Sequence, residues 1–258
     1  MINLHVNNSI ISDVELVIFD SIGTLFDMHA YCHGMAVLRA EALCSCFDLP
    51  ESMYNELISV MEFDIERYRH KSFAPVNICS RQETLDSVIR YLNATLNIDT
   101  ACACKESFRH ADDASIEYLD DLLKPLAGAE LLIKSLAASE TTIALAEPDS
   151  YSRAKLYLEK AELSEYFSAV AGPDSVNKTK PFAEQAALLS RQCGVVSEKT
   201  VCIGDEINDI LMAENAGFKA AIGVASGSTS SRLLYEYTPF VVESLTQIGV
   251  RYALSSVR

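Results

Sequence analysis

Asp20, Glu147 and Asp205 share one placement: each stands at the end of a short apolar run, Asp205 after an intervening Gly204. The runs are residues 14–19 (VELVIF), 141–146 (TTIALA) and 200–203 (TVCI). Short runs rich in β-branched and aliphatic residues read as buried strands. In open sheets of parallel strands, functional groups collect beyond the carboxyl ends of those strands. Three acids far apart in sequence therefore become one candidate site. Carboxylates gathered in this way offer hard oxygen ligands of the kind a divalent cation prefers. Asp209 stands four residues after Asp205, one helical turn further on. A second reading of Asp205 and Asp209 is capping of a helix N-terminus, where carboxylates are also favoured.

The elements that must position these acids follow from periodicity. After Asp20, the run Ser21-Ile22-Gly23-Thr24 breaks the strand, and Gly23 permits a tight loop. From residue 28 to residue 124 the pattern is helical. Segments 35–47, 52–68, 81–96 and 104–123 place apolar residues three and four apart, with Pro50 and Pro75 between them. Four such helices can form a small bundle. Near Pro125 the pattern changes to alternation. Helices are expected over 126–138, 151–161, 182–193 and 209–216, and strands over 141–146, 169–171, 200–203 and 220–224. That order implies an α/β fold with a parallel sheet covered on both faces. The expected domains are a core of residues 1–27 and 126–258 and a helical insertion of residues 28–125.

Composition narrows the partners. Asp and Glu total 36 against 21 Lys and Arg, a formal charge of -15. Such a chain repels phosphate backbones and anionic bilayers, so neither nucleic acid nor membrane is expected as a partner. No apolar stretch reaches about 18 residues, the minimum for a membrane helix. The first 13 residues carry no Lys or Arg and do not read as a signal peptide. The eight cysteines form two Cys-x-Cys pairs, Cys44/Cys46 and Cys102/Cys104, in no zinc-like spacing. They read as structural thiols of a reducing, cytoplasmic compartment.

Two segments closely resemble signature motifs of the haloacid dehalogenase (HAD) superfamily. Residues 20–27 (DSIGTLFD) match its D-x-D-G-T-L-F-D pattern except at the third position, and residues 204–209 (GDEIND) match G-D-x-x-N-D. Lys180-Pro181 lies between them, where that superfamily has its Lys-Pro motif. The resemblance spans nearly the whole chain. It implies a Rossmann-like core with an inserted four-helix cap and a hydrolase of the phosphoglycolate-phosphatase type acting on a small phosphorylated, anionic metabolite. In that implied mechanism Asp20 is the nucleophile and forms a covalent intermediate that water hydrolyses. Mg2+ is the implied cofactor, held by Asp20, Asp205, Asp209 and the backbone carbonyl of Ile22. Lys180 would hold the nucleophile and offset negative charge, and Thr24 would order the site. Gly23, Ile22 and Glu147 would line the substrate position.

Two residues depart from the pattern. Phosphatases of the superfamily carry a second Asp two residues after the nucleophile, as acid and base; here that position is Ile22. Glu147 stands where the superfamily places a phosphate-binding Thr or Ser, and a carboxylate there repels phosphate unless protonated or turned away. The bland alternative for Glu147 is a solvated acid at a strand end. Not every branch of the superfamily uses an acid at the Ile22 position: L-2-haloacid dehalogenases have an aromatic residue there and phosphonoacetaldehyde hydrolases a small one, and residues 19–29 (FDSIGTLFDMH) resemble the dehalogenase version. Carbon–halogen or carbon–phosphorus cleavage therefore stays open, as does a non-catalytic binding protein. The basic stretch Arg67, Tyr68, Arg69, His70, Lys71 is either a substrate-facing patch or a solvated helix end, with a Schiff-base role for Lys71 a remote option. His29 and His33 either reach the site or serve packing.

Overall fold

The computed structural model describes residues 1–61, 63–64, 81–252 and the backbone of 69–70. The chain opens with a hairpin of β1 (Ile2–Val6) and β2 (Ser9–Val14), followed by β3 (Leu16–Phe19). The helical segment comprises α1 (Met28–Phe47), α2 (Ser52–Val60), the short strands β4 (Phe63–Asp64) and β5 (Arg69–His70), α3 (Arg81–Leu96), α4 (Ala101–Ala114) and α5 (Leu119–Leu122). Alternation then runs through α6 (Ala129–Ala138), β6 (Thr142–Ala146), α7 (Tyr151–Lys160), β7 (Ala169–Ala171), α8 (Glu184–Cys193), β8 (Thr200–Gly204) and α9 (Ile207–Asn215). The chain finishes with β9 (Ala220–Val224), α10 (Ser231–Leu234), β10 (Val241–Val242) and β11 (Ile248–Tyr252).

The chain separates into two compact units, one of Met1–Asp27 with Pro125–Arg258 and one of Met28–Lys124. Pro125 falls in the first unit, one residue from the expected boundary, because its backbone bridges Phe26. The first unit holds a six-stranded sheet in the order β10-β9-β8-β3-β6-β7, with every pair parallel. The α/β architecture with a helical insertion is thus as expected. β3 lies at the centre and all four of its residues are buried, which is why it reads as an unbroken apolar run. From β3 the chain moves outward to β6 and β7, then returns to β8 on the other side. The order of strands reverses between β3 and β8, the kind of switch point at which open sheets bind ligands. Phe19 is level with Ile203 on one side and Leu145 on the other. The residues that follow these three strands therefore emerge at one height.

A second, antiparallel sheet, β11-β1-β2, was not anticipated from the sequence. Its signal is nevertheless present. Ile2, Leu4 and Val6 are buried while Asn3 and His5 between them are less so, the period of two that a half-buried strand shows. The turn uses Asn7 at φ 52, a left-handed conformation that asparagine tolerates. The run is short and begins at the first residues, so alternation over five positions was its only mark.

The helical unit packs α1 against α4, with α2 and α3 alongside. Ala40, Leu43, Leu57, Val88, Leu92, Cys104 and Phe108 form its buried centre. Three of the four expected helices differ; the one expected over 104–123 is α4 (Ala101–Ala114), then a 3-10 turn (Ser115–Tyr118) and α5 (Leu119–Leu122). α1 begins at Met28, seven residues before 35, with Gly34 inside it: a Cβ there would lie 2.0 Å from a Leu122 methyl, so the glycine admits α5 rather than ending the helix. The second helix stops at Val60 instead of reaching 68, and β4 pairs with β5 in place of its last turns. Arg67, Tyr68 and Lys71 lie outside the described residues, as do the side chains of Arg69 and His70. His33 stacks at 4.9 Å on Phe63, a packing role.

The N-terminal sheet gives a direct test of cooperativity. Leu4 is fully buried, so Leu4→Ala is expected to lower unfolding free energy by about 2–5 kcal/mol, measured by urea denaturation. A cost below about 1 kcal/mol would show that the hairpin is not part of the folding unit.

Candidate active site

Asp20 leaves the end of β3 with its backbone N–H donating to the Ile203 carbonyl at 2.9 Å, which pins it beside β8. Asp20 is 4% exposed. The Lys180 ammonium lies 2.6 Å from Asp20 Oδ1 and 2.6 Å from Asp209 Oδ1. One buried ammonium thus joins the Asp20 carboxylate to the first turn of α9. Asp20, Asp205 and Asp209 each offer a carboxylate oxygen, and those atoms all lie within 4.8 Å of one another. The structure brings these four expected residues together.

Asp205 is held on two sides. Thr24 Oγ1 donates to its Oδ1 at 3.1 Å, while the Ser228 N–H and hydroxyl donate to its Oδ2 at 2.8 and 3.1 Å. Gly23 sits against the same carboxylate at φ +98, and a Cβ there would fall 2.5 Å from it. Glycine is therefore required at 23 twice over, by backbone conformation and by space. Of the two readings of Asp209, the geometry meets the capping one. Its Oδ2 accepts the Glu206 N–H at 3.1 Å in a capping box, and its Oδ1 faces Lys180.

Glu147 is not a solvated acid. It is 1% exposed, and Ser21 Oγ donates to its Oε2. The Asp149 N–H donates to Oε1 at 3.3 Å. Its backbone carbonyl accepts Gln185 Nε2 at 3.0 Å, and Gln185 also takes the Lys180 N–H on its Oε1 at 3.2 Å. Gln185 thereby ties the Lys180 backbone to the ends of β6 and β7. Ser21, Gln185, Ser226 and Ser228 were all missed by the sequence reading. The serine-rich stretch 226–231 begins two residues after the end of β9, so the strand-end rule applied to one more strand would have found it. Gln185 carried no such signal, because its role is set by where α8 packs. Ile22 is half-buried in the loop between β3 and Phe26.

The charge of the site is unbalanced. Burial, opposed by Lys180 and reinforced by Asp209, Asp205 and Glu147, holds the Asp20 carboxyl well above its ordinary range. Burial and the neighbouring Asp209 push Asp205 up to about 7, against the donors Ser228 and Thr24. Burial likewise pushes Glu147 up to about 7. Burial alone would lower Lys180, yet Asp20 and Asp209 outweigh it and keep the ammonium charged. The three clustered acids have one ammonium beside them, in contact with Asp20 and Asp209, and their donor atoms are all hard oxygens. That set fits Mg2+, which is bound through a small number of carboxylates and keeps several waters.

A pH dependence follows in the absence of divalent cation. The folded Glu147 and Asp205 carboxyls titrate near 7, above the unfolded range of about 4. The folded chain then holds protons that the unfolded chain has released. The stability from these groups is complete below about pH 4 and is lost as the pH rises through about 7. In Glu147→Gln, urea-measured stability is expected to fall less over that window than in wild type. An unchanged slope would contradict the burial of an ionisable Glu147.

Comparison with known proteins agrees with this architecture. A profile described as haloacid dehalogenase-like hydrolase matches residues 17–223. Similar solved structures include one from Haemophilus somnus described as a predicted phosphoglycolate phosphatase, with TM-score 0.69 and 18% identity, covering 91% of this chain and 96% of that one. A β-phosphoglucomutase from Clostridium difficile aligns with TM-score 0.59 and 20% identity, covering 91% and 92%. A HAD-superfamily hydrolase of subfamily IA from Geobacter sulfurreducens aligns with TM-score 0.60 and 17% identity, covering 90% and 93%. At these identities the structures establish the fold alone. No curated protein matches at a significant level. The profile match covers most of the chain, and on that ground this protein belongs to the haloacid dehalogenase-like hydrolase family.

Proposed function

We propose that the protein is a Mg2+-dependent phosphohydrolase of small phosphorylated metabolites, of the phosphoglycolate-phosphatase type, with Asp20 as nucleophile. The observation that carries this reading is the buried Asp20 carboxylate, held by Lys180 at 2.6 Å within a cluster of three acids. Asp20, Asp205 and Asp209, with the Ile22 carbonyl, would hold the cation. Bound Mg2+ would neutralise charge on the phosphoryl oxygens. The Asp20 carboxylate forms a bond to phosphorus as the bond to the leaving oxygen breaks, and that oxygen departs with the electron pair. Water then attacks the phosphorus of the aspartyl phosphate, a proton passes to solvent, and inorganic phosphate and the Asp20 carboxylate are restored. Lys180 fixes one oxygen of Asp20 and offsets the approach of an anion. Thr24 holds Asp205. Glu147 is retained on Ser21, which supports a carboxyl turned away from the incoming phosphate.

Ile22 has no proton to give a leaving group. General acid catalysis is worth roughly 10²–10⁴-fold, and leaving groups that depart unprotonated do not require it. Acyl phosphates are therefore the preferred substrate class, and alkyl phosphate esters are poor ones. The inserted helical unit would act as the substrate-selecting cap. Among the described residues no helix is long and apolar enough to cross a membrane. The thiols of Cys44, Cys46, Cys102, Cys104, Cys193 and Cys202 are free, which supports a cytoplasmic setting.

With Mg2+ present, acetyl phosphate is expected to turn over well ahead of glycerol phosphate, and Asp20→Asn is expected to abolish both activities. Ile22→Asp should raise glycerol phosphate hydrolysis by roughly 10²–10⁴-fold. Equal rates for the two substrates in wild type, or turnover that survives Asp20→Asn, would contradict the mechanism. Phosphate release that persists in EDTA would contradict the Mg2+ dependence, and halide release from a 2-haloacid in EDTA would favour metal-free carbon–halogen cleavage.

A further inference from the structure

The loop after β9 does more than leave the sheet. Ser226 Oγ donates to the Gly23 carbonyl at 2.7 Å, tying this loop to the one that follows Asp20. Two residues on, Ser228 directs both its N–H and its hydroxyl at Asp205 Oδ2, at 2.8 and 3.1 Å. Between them, Gly227 lies so close that a Cβ would come within 2.0 Å of Asp205 Oδ2 and 2.4 Å of its Cγ. On the opposite side stand Gly23 and the Thr24 hydroxyl. The Asp205 carboxylate is therefore enclosed between two loops, with two glycines setting its position and three donors setting its rotation.

A carboxylate at the base of a cation site has two ways to be wrong: displaced along its bond or turned about it. The enclosure blocks both. Gly227, unlike Gly23, has no left-handed backbone requirement, so a side chain there is excluded by the carboxylate alone. Ser228 is half-buried and belongs to none of the ligand positions. It touches neither Asp20 nor Lys180 among the described hydrogen bonds.

We infer that Ser228 is a positioning residue for the cation site, acting through Asp205, and that Gly227 sets the room in which that carboxylate sits. The inference rests on the proposed cation site. Partners of metal ligands typically govern affinity by 10–100-fold. Removing one of the two donors from Oδ2 falls at the lower end of that range, and displacing the carboxylate falls at the upper end.

The test is calorimetric titration of the full chain with Mg2+ alone, alongside thermal unfolding of each variant without the ion. Ser228→Ala is expected to bind Mg2+ roughly 10-fold more weakly at an unchanged melting temperature. Ser228→Thr, which keeps a hydroxyl, should restore affinity. Gly227→Ala should weaken binding by roughly 100-fold. Wild-type affinity in Ser228→Ala, or a loss that Ser228→Thr does not repair, would overturn the role of Ser228 while leaving the cation site standing. A wild-type chain that binds no Mg2+ would overturn both. Should Gly227→Ala fail to fold, the two serine variants still decide the matter.

Discussion

One ammonium group between two buried carboxylates organises this molecule. Lys180 reaches Asp20 at the end of β3 and Asp209 in the first turn of α9, at 2.6 Å from each. Removing charges from water is costly, and a lone buried carboxylate would take up a proton instead. Asp205 and Glu147 add to the negative side of the account, and both carboxyls titrate near 7. The fold gathers four acids beyond the carboxyl ends of neighbouring strands, with Lys180 among them, and the proposed cation would supply further positive charge. The parallel sheet makes this possible, since neighbouring strands in register deliver their following residues to one level.

The same constraint accounts for residues that look incidental. Gln185 holds the Lys180 backbone against β6 and β7. Thr24 and Ser228 supply donors to Asp205. Gly23 leaves room for that carboxylate where any side chain would collide with it. Glu147, the acid least suited to a phosphate site, has found a partner in Ser21 rather than an outlet to solvent. Ile22 stands where phosphatases of the superfamily carry their acid, and its side chain has no proton to give. The proposed preference for leaving groups that need no proton follows from it.

Much of the site was legible because its residues follow strands. VELVIF, TTIALA and TVCI each announced a buried strand by composition, and the acid after each is where a parallel sheet exposes function. Lys180 was legible only through the resemblance to a known motif, since no local pattern marks a lysine before a proline as buried. Ser21 and Gln185 were not legible, because their partners lie 126 and 38 residues away and depend on how β3, β6 and α8 pack. The N-terminal sheet was missed for a different reason. Its strands are short, and β1 is completed by β11, whose residues stand at the other end of the chain. Helix ends in the insertion were misread where one residue carried two meanings: Gly34 breaks a pattern by propensity, yet here it makes space for Leu122.

The central claim is that Asp20, Asp205 and Asp209 form a single cation-binding centre. Anomalous diffraction from crystals soaked in Mn2+, an ion that prefers the same oxygen ligands, addresses it directly. The account predicts one strong peak among the carboxylate oxygens of Asp20, Asp205 and Asp209. A map with no peak among these three acids at saturating Mn2+, with the Lys180 ammonium still spanning Asp20 and Asp209, would contradict it.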